Sequence, residues 1–161
     1  MNKLLLIVLM LGVWTYIGLQ QVEAELAMRT LFEGKRAVNR SVHAAAQQLD
    51  REALADGIFR IDEVKAAAAA SSYLMNNLKL DHQGMPLEDA FLRERIEVRV
   101  YEVINDEYNF PYTYRNEQYQ YEVTLRRPGV IMIIHLKYPR AFGVLKPIEW
   151  EIKGAAELVI G

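Results

Sequence analysis

The side chains that most often carry catalytic or metal chemistry are sparse in this chain and far apart. Its three histidines are His43, His82 and His135, and none has a second metal-ligating residue three or four positions away. The chain has no cysteine, which excludes thiolate nucleophiles and cysteine-bound zinc. We therefore expect no metal site, and we interpret each histidine as an ordinary core or surface residue. His135, between Ile134 and Leu136, is the one whose burial would matter.

Motifs for nucleophilic catalysis and phosphate binding do not occur in the sequence either. Ser41, Ser71 and Ser72 fall in predicted helices without a nearby base, and no nucleophile elbow, phosphate loop or dinucleotide fingerprint is present. Adjacent carboxylates such as Asp106-Glu107 are usually only solvated, and their spacing matches no EF-hand loop. We therefore expect a protein that is not an enzyme, with no cofactor and no small-molecule substrate.

Composition and charge indicate a folded chain with little attraction for nucleic acid. Its 161 residues are 52% hydrophobic and 25% charged, enough for one compact domain. The formal net charge is −2 and the pI is near 6.0, whereas nucleic-acid-binding domains usually carry a basic stripe. We therefore expect no nucleic-acid partner.

The N-terminus carries an apolar segment that addresses the chain to a membrane. Lys3 supplies a positive end, and the run from Leu4 to Leu19 contains no charged residue. A membrane-spanning helix needs about 20 apolar residues, a length that is reached if residues 20–22 lie in the headgroup layer. The main apolar residues of the predicted membrane segment are Leu4, Leu5, Ile7, Leu9, Leu11, Val13, Trp14, Ile17 and Leu19.

Two hypotheses for residues 1–24 export the rest of the chain, and a third, a buried core helix of a cytosolic protein, does not. In the first, the segment stays as a membrane anchor, because the helical pattern continues through Ala24 without a turn-forming residue. In the second, Val22-Glu23-Ala24 is cut by a signal peptidase and the mature chain begins at Glu25. The folded domain is thus expected outside the cytoplasm, either anchored in the membrane or released to the cell surface or medium.

Residues 25–84 are predicted to form a helical arm. Apolar residues recur every three or four positions from Glu25 to Ala55, which predicts one long helix closed by Asp56-Gly57. On this helix an alanine-rich face is expected to lie against copies of the chain or a filament core. The residues of this expected packing interface are Ala37, Val42, Ala45 and Leu49.

A second helix of the arm is predicted after a short break. Asp62 is a suitable N-cap for a helix from Glu63 to about Leu78. The polar and glycine-containing stretch 81–86 then ends the arm.

Residues 85–161 are predicted to form an antiparallel sheet of about four strands. Apolar and polar residues alternate in three of the predicted strands, and the other is almost wholly apolar. The predicted strands cover 96–101, 117–125, 130–138 and 148–153, with a continuation to Ile160 after a bend at Gly154. A turn at 126–129 predicts a hairpin between the second and third strands, and 139–147 is predicted as a loop. The predicted fold class is therefore α+β.

An aromatic loop is predicted at 105–116, between the first two strands. Tyrosine offers contact area together with a polar tip, so this loop is a candidate binding surface. Alternatively, its rings cover one end of the sheet and complete the core. The rings concerned are Tyr108, Phe110, Tyr112 and Tyr114.

The order of these elements is the plan of pilin-like proteins. The stretch 35–50 (KRAVNRSVHAAAQQLD), followed by Gly57, Ile61-Asp62 and the run 77–81 (NLKLD), resembles the TadE-like minor pseudopilins of tight-adherence pili. The resemblance covers about the first half of the chain. It implies a membrane-embedded helix, an extracytoplasmic α+β head, and a role in initiating, capping or anchoring a pilus or related filament. Pilin-like packing would place Val98, Val123 and Ile133 beneath the long helix.

Three hypotheses arise for the function. The first is a structural or assembly component of a pilus or related envelope filament, with a membrane and protein partners in a homo- or hetero-oligomeric assembly. The second is an exported binding module whose signal peptide is removed and whose aromatic loop engages a ligand. The third is an accessory subunit of another envelope complex that shares the anchor.

Overall fold

The structure is a computed structural model that describes residues 2–138, 140 and 146–159. It has the expected α+β architecture, with helices first and antiparallel strands after them. The elements are α1 (Asn2–Ala46), α2 (Arg51–Ala55), α3 (Glu63–Leu78), β1 (Glu97–Ile104), β2 (Tyr112–Asn116), β3 (Tyr121–Leu125), β4 (Gly129–Tyr138) and β5 (Ile148–Glu157).

The first helix is interrupted nine residues earlier than the sequence predicted. It ends at Ala46, because Leu49 forms a β-bridge with Ile61 and the Asp50 N–H donates to the Arg60 carbonyl at 2.9 Å. The Asp50 carboxylate then caps a separate short helix, α2. The predicted single helix to Ala55 is therefore wrong in this segment, since pairing with residues 60–61 replaces the helical hydrogen bonds.

The helix boundaries set by capping residues are confirmed. Gly57 adopts a positive φ of 78° and ends α2, and the Ile58 N–H bonds back to the Ala53 carbonyl at 2.9 Å. The Asp62 carboxylate accepts a hydrogen bond from the Lys65 N–H at 3.0 Å, which starts α3.

The strands form two sheets instead of one. The order in the main sheet is β1-β4-β5, and β2 pairs with β3 in a separate antiparallel hairpin. The predicted hairpin between 117–125 and 130–138 is therefore wrong. Strand β3 instead pairs with Tyr112–Asn116. This segment was expected to be a loop, but its side chains point alternately inward and outward as in a strand.

The register of β1 changes at a bulge between Val98 and Val100. Beyond the bulge, Tyr101 and Val103 pack against the core under the helices. The expectation that Val98, Val123 and Ile133 lie beneath α1 is wrong. Val98 is 49% exposed, and Val123 packs in a smaller core between the hairpin and the main sheet. Ile133 points to the side of β4 opposite to Met132 and Ile134, which face the helices.

The main core lies between the helices and the sheet, and α1 packs on α3, β4 and β5. A second, smaller core lies on the opposite face, where Tyr114 and Leu125 of the hairpin cover Ile104 and Ile131. The fold is thus a helical layer, a three-stranded sheet and a two-stranded cover.

Two further predictions concern the β4–β5 connection and the chain end. Of the predicted loop 139–147, only Arg140, Lys146 and Pro147 belong to the described residues. The last strand runs through Gly154 without a break and ends at Glu157, and Ile160 lies outside the described residues.

Candidate functional site: the N-terminal helix and its seat on the sheet

The first half of α1 extends away from the folded domain. Residues 3–19 are all exposed, and the large apolar side chains among them range from 44% exposed at Leu19 to 74% at Trp14. At 1.5 Å per residue, Leu4 to Val22 spans about 28 Å, close to the thickness of a hydrocarbon layer of about 30 Å. The most apolar window of α1 has a mean hydropathy of 1.8 and contains no buried residue. The helix is therefore long and apolar enough to cross a membrane.

The second half of the same helix is docked on the sheet. One continuous stripe of α1 faces the domain, with a buried residue every three or four positions. No break separates the two halves, because α1 is a single helix of 45 residues. The buried residues of the stripe are Glu23, Ala27, Thr30, Gly34, Ala37, Val38, Ser41, Val42, Ala45 and Ala46.

Two glycines set how closely the helix approaches the sheet. A Cβ at Gly34 would stand 2.5 Å from Ile152 Cδ1, and one at Gly154 would stand 2.7 Å from Val38 Cγ1. Each glycine therefore leaves room for a branched side chain of the other layer. In the sequence, Gly34 looks only like a weak point in a helix, and Gly154 like a bend in a strand, so neither packing role was predicted.

The expected interface with other copies of the chain is wrong in its residues. Ala37, Val42 and Ala45 are fully buried in the chain's own core, and Leu49 is partly buried against it. The alanine-rich face does permit close packing, but its partner is the sheet and α3 of the same chain. A contact between copies would have to use other faces of α1.

The turn of α1 next to the apolar half carries a buried charge that was not predicted from the sequence. Glu23 is 5% exposed, and its Oε2 lies 4.0 Å from Arg140 Nη1, in the segment after β4. The pKa of the Tyr138 hydroxyl, at the end of β4, is raised first by burial and second by the negative charge of Glu23. Glu23 thus ties the helix to the sheet where the apolar segment ends. Its place as the first acid after that segment was the available signal.

The aromatic residues of the predicted loop mostly complete the second core. Tyr114 is 5% exposed and donates a hydrogen bond to Glu102 at 2.9 Å, while Phe110 and Tyr112 are half-buried against the same core. Tyr108 is exposed, with its ring centroid 4.4 Å from that of Tyr112. The prediction of an exposed binding loop is therefore wrong for three of the four rings, because they pack in the second core.

His135 lies on the sheet face opposite to α1, between acidic neighbours. Its Nδ1 is 2.8 Å from Glu151 Oε1, and its Nε2 is 3.6 Å from Glu149 Oε2. The burial expected from its apolar neighbours is confirmed at 8% exposure. Among the described residues, no group of three or more histidine or acidic side chains is arranged to hold a metal ion.

An open groove of about 550 Å³ lies between α3 and β1, with Ala70 and Leu74 on one side and Tyr101 on the other. The Tyr101 hydroxyl is buried and finds no hydrogen-bond partner among the described residues. Burial raises the pKa of Tyr101 to about 12. The described residues that line the groove form no recognisable catalytic arrangement of side chains.

The long helix and its seat are thus the most distinctive part of the molecule. No protein-family model, curated protein or solved structure matches this chain. Its role must therefore be inferred from its own residues.

Proposed function

We propose that this protein is a membrane-anchored, non-enzymatic component of a pilus or related cell-envelope filament, close in kind to the TadE-like minor pseudopilins. The observation that carries the proposal is the division of α1 into an exposed apolar half and a half docked on the sheet. A helix with that division places an apolar rod in lipid and a folded head directly outside it.

The course of α1 supports retention of the anchor. Residues 22–25 are helical, whereas a signal peptidase cuts extended chain. Cleavage after Ala24 would also remove Glu23, one side of the buried contact with Arg140. The folded head therefore loses part of its own packing if the N-terminal segment is removed.

The binding-module hypothesis receives less support. It depended on four exposed aromatic rings, and three of them are occupied in the second core. The hypothesis of an accessory subunit in another envelope complex shares the anchor and differs only in its neighbours. An assembly role fits better because the head leaves basic and apolar surface of α1 uncovered.

The proposal is tested by shearing filaments from cells that make the full-length protein and probing each fraction with an antibody to the head. We expect the protein in the membrane fraction, and in the sheared fraction or crosslinked to its components. Recovery of the protein solely as a soluble monomer in the periplasm or medium would contradict the proposal and favour a binding module.

A further inference from the structure

The end of the head farthest from the apolar half of α1 is a rigid tip, formed by residues 47–62. Arg60 donates two hydrogen bonds to the Asp106 carboxylate, at 2.6 and 3.0 Å. The buried side chain of Asn105 bonds both the N–H and the carbonyl of Ile61, at 2.9 and 3.1 Å. These contacts fix the tip to the end of β1 and hold its backbone in one position.

This rigid tip exposes apolar side chains. Leu54 is 39% exposed, Ile58 42% and Phe59 45%, and Tyr108 is exposed beside the Asp106 anchor. A protein that orders a segment so firmly and leaves its large apolar residues in water presents the surface typical of a docking site.

The tip and the segment that anchors it also carry exposed acidic residues. Glu52, Asp56 and Glu107 are exposed, and Arg60 is neutralised by Asp106. Among residues 47–62, all of them described, this leaves Arg51 as the one exposed base that is not paired with an acid. The tip therefore exposes apolar side chains together with an excess of negative charge.

The outer stripe of α1 has the opposite charge and similar apolar character. Met28 is 48% exposed and Phe32 54%, and one helical turn further on Lys35 and Arg36 are exposed. Arg40, a further turn along, donates a hydrogen bond to Asn77 of α3 at 2.7 Å. The sequence of α1 contains no acidic residue between Glu33 and its end at Ala46. The stripe thus offers apolar and positive groups together, on the face turned away from the sheet.

We propose that the tip of one copy docks on the outer stripe of α1 of a second copy, with Leu54, Ile58 and Phe59 against Met28 and Phe32 and the acids of the tip against Lys35 and Arg36. Complementary charge is the argument for a second copy as the occupant, because it steers association and fixes register. This inference rests on the proposed assembly function and names the contact that would perform it.

The two surfaces are different, so the contact is head-to-tail and can repeat from copy to copy without closing. Arg36 lies ten residues before the end of α1, which corresponds to about 15 Å along the helix. Each copy would therefore be displaced along the helix axis by at least this distance from its neighbour. Such a stagger is what a growing filament requires.

The test uses the full-length chain, which has no cysteine of its own. Two differently tagged copies are produced together, one with Ile58→Cys at the tip and the other with Met28→Cys on the stripe, and whole cells are oxidised before the membrane and sheared-filament fractions are separated. A matched control pairs Ile58→Cys with Arg127→Cys, an exposed residue of the β3–β4 turn. We expect a disulfide between the two tagged chains in the first pair, in clear excess over the control.

An exchange of charges between the two surfaces tests the same contact, with the yield of the disulfide as the measured quantity. Added to the crosslinking pair, Arg36→Glu is expected to lower the yield on the order of tenfold, because like charges then face each other. Asp56→Arg in the other copy is expected to restore it, whereas Arg127→Glu changes nothing.

The outcomes separate this inference from the proposed function. If an amine-reactive crosslinker still captures multimers but the cysteine pair behaves like its control, the contact is overturned and the assembly role stands. A disulfide formed between two Ile58→Cys copies in preference to the mixed pair would also overturn it, since that contact is symmetric. If no multimer is captured by any reagent, the assembly role itself fails.

Discussion

At the scale of single residues, the seat of α1 depends on groups that are unusual for their position. Glu23 is a carboxylate with 5% exposure, and its Oε1 is buried without a hydrogen-bond partner among the described residues. Such a group is stable only if an opposite charge compensates its loss of water. The nearby guanidinium of Arg140 supplies that charge.

Glu23→Ala is predicted to destabilise the head by about 1–3 kcal/mol, because Arg140 would keep its buried position without its partner. The free energy of unfolding of the full-length protein in detergent is the quantity to measure. The control is Glu25→Ala, two residues along and exposed, with an expected change within about 0.5 kcal/mol. Equal effects of the two variants would show that the Glu23 contact contributes nothing.

Gly154→Ala is predicted to destabilise the head by about 1–3 kcal/mol through overpacking against Val38. Val38 has a branched side chain with few alternative rotamers and cannot easily move aside. Gly12→Ala is the matched control, because nothing lies within 4 Å of a Cβ at that position. Chemical denaturation followed by circular dichroism measures both, and an unchanged midpoint for Gly154→Ala would contradict the close approach.

At the scale of elements, one of the contacts that hold the tip, the ion pair of Arg60 with Asp106, depends on pH. The hydrogen bond and charge of Arg60 lower the pKa of Asp106 below its usual range. Since the folded pKa is depressed, the unfolded state takes up the proton first as the pH falls, so this stabilisation is present at neutral pH and lost in acid.

The amide protons of residues 47–62 are therefore predicted to exchange faster as the pH falls below about 4, relative to those of α3 after correction for intrinsic rates. Asp106→Asn removes this charge and should make the protection of the tip less dependent on pH in this range, with the remaining dependence due to Asp62, whose pKa is lowered by Lys65. Protection of the tip that falls in acid to the same extent in the variant would exclude Asp106 as the cause.

The elements with strong local signals were predictable from sequence, and those set by distant contacts were not. Asp62 and Gly57 fixed the limits of α3 and α2, because capping depends on neighbouring residues alone. The end of α1 was not predictable, since it depends on pairing of Leu49 with Ile61. Strand partners were wrong for a similar reason: alternation identifies a strand but does not determine which strand lies beside it.

The residues of α1 and of its docking surface on the sheet were likewise predictable only in part. The apolar half of α1 was evident from composition, while Gly34, Gly154 and Glu23 became meaningful only with the sheet beside them. The alanine-rich face was identified as a packing surface, but its partner within the chain was not, because a stripe of small residues carries no information about what covers it.

At the scale of the whole molecule, one helix joins the exposed apolar segment to the folded head. Its apolar half contributes no residue to the described core, so the segment is free to enter a membrane. Under the proposed function, the docked half would fix the direction in which the head leaves the membrane. Because no flexible linker lies between them, a force or contact on the head acts directly on the anchor.

A charged residue in the middle of the apolar half is predicted to release the protein from the membrane. Leu9→Arg and Leu11→Arg together would cost on the order of 5–7 kcal/mol of insertion free energy on the biological hydrophobicity scale. The protein should then be lost from the alkali-resistant membrane fraction while the head keeps its unfolding midpoint. Leu9→Ala with Leu11→Ala serves as the control and is expected to stay in the membrane.

The central claim is that α1 remains uncut, with residues 4–19 in the membrane and the head outside. Intact-mass analysis of the protein extracted from membranes, combined with protease digestion of sealed cells stripped of their outer layers, tests this directly. We predict a chain that retains its N-terminal apolar segment and a head that is digested from the outside. A mature protein that begins at Glu25, or a head protected inside the cytoplasm, would contradict this claim.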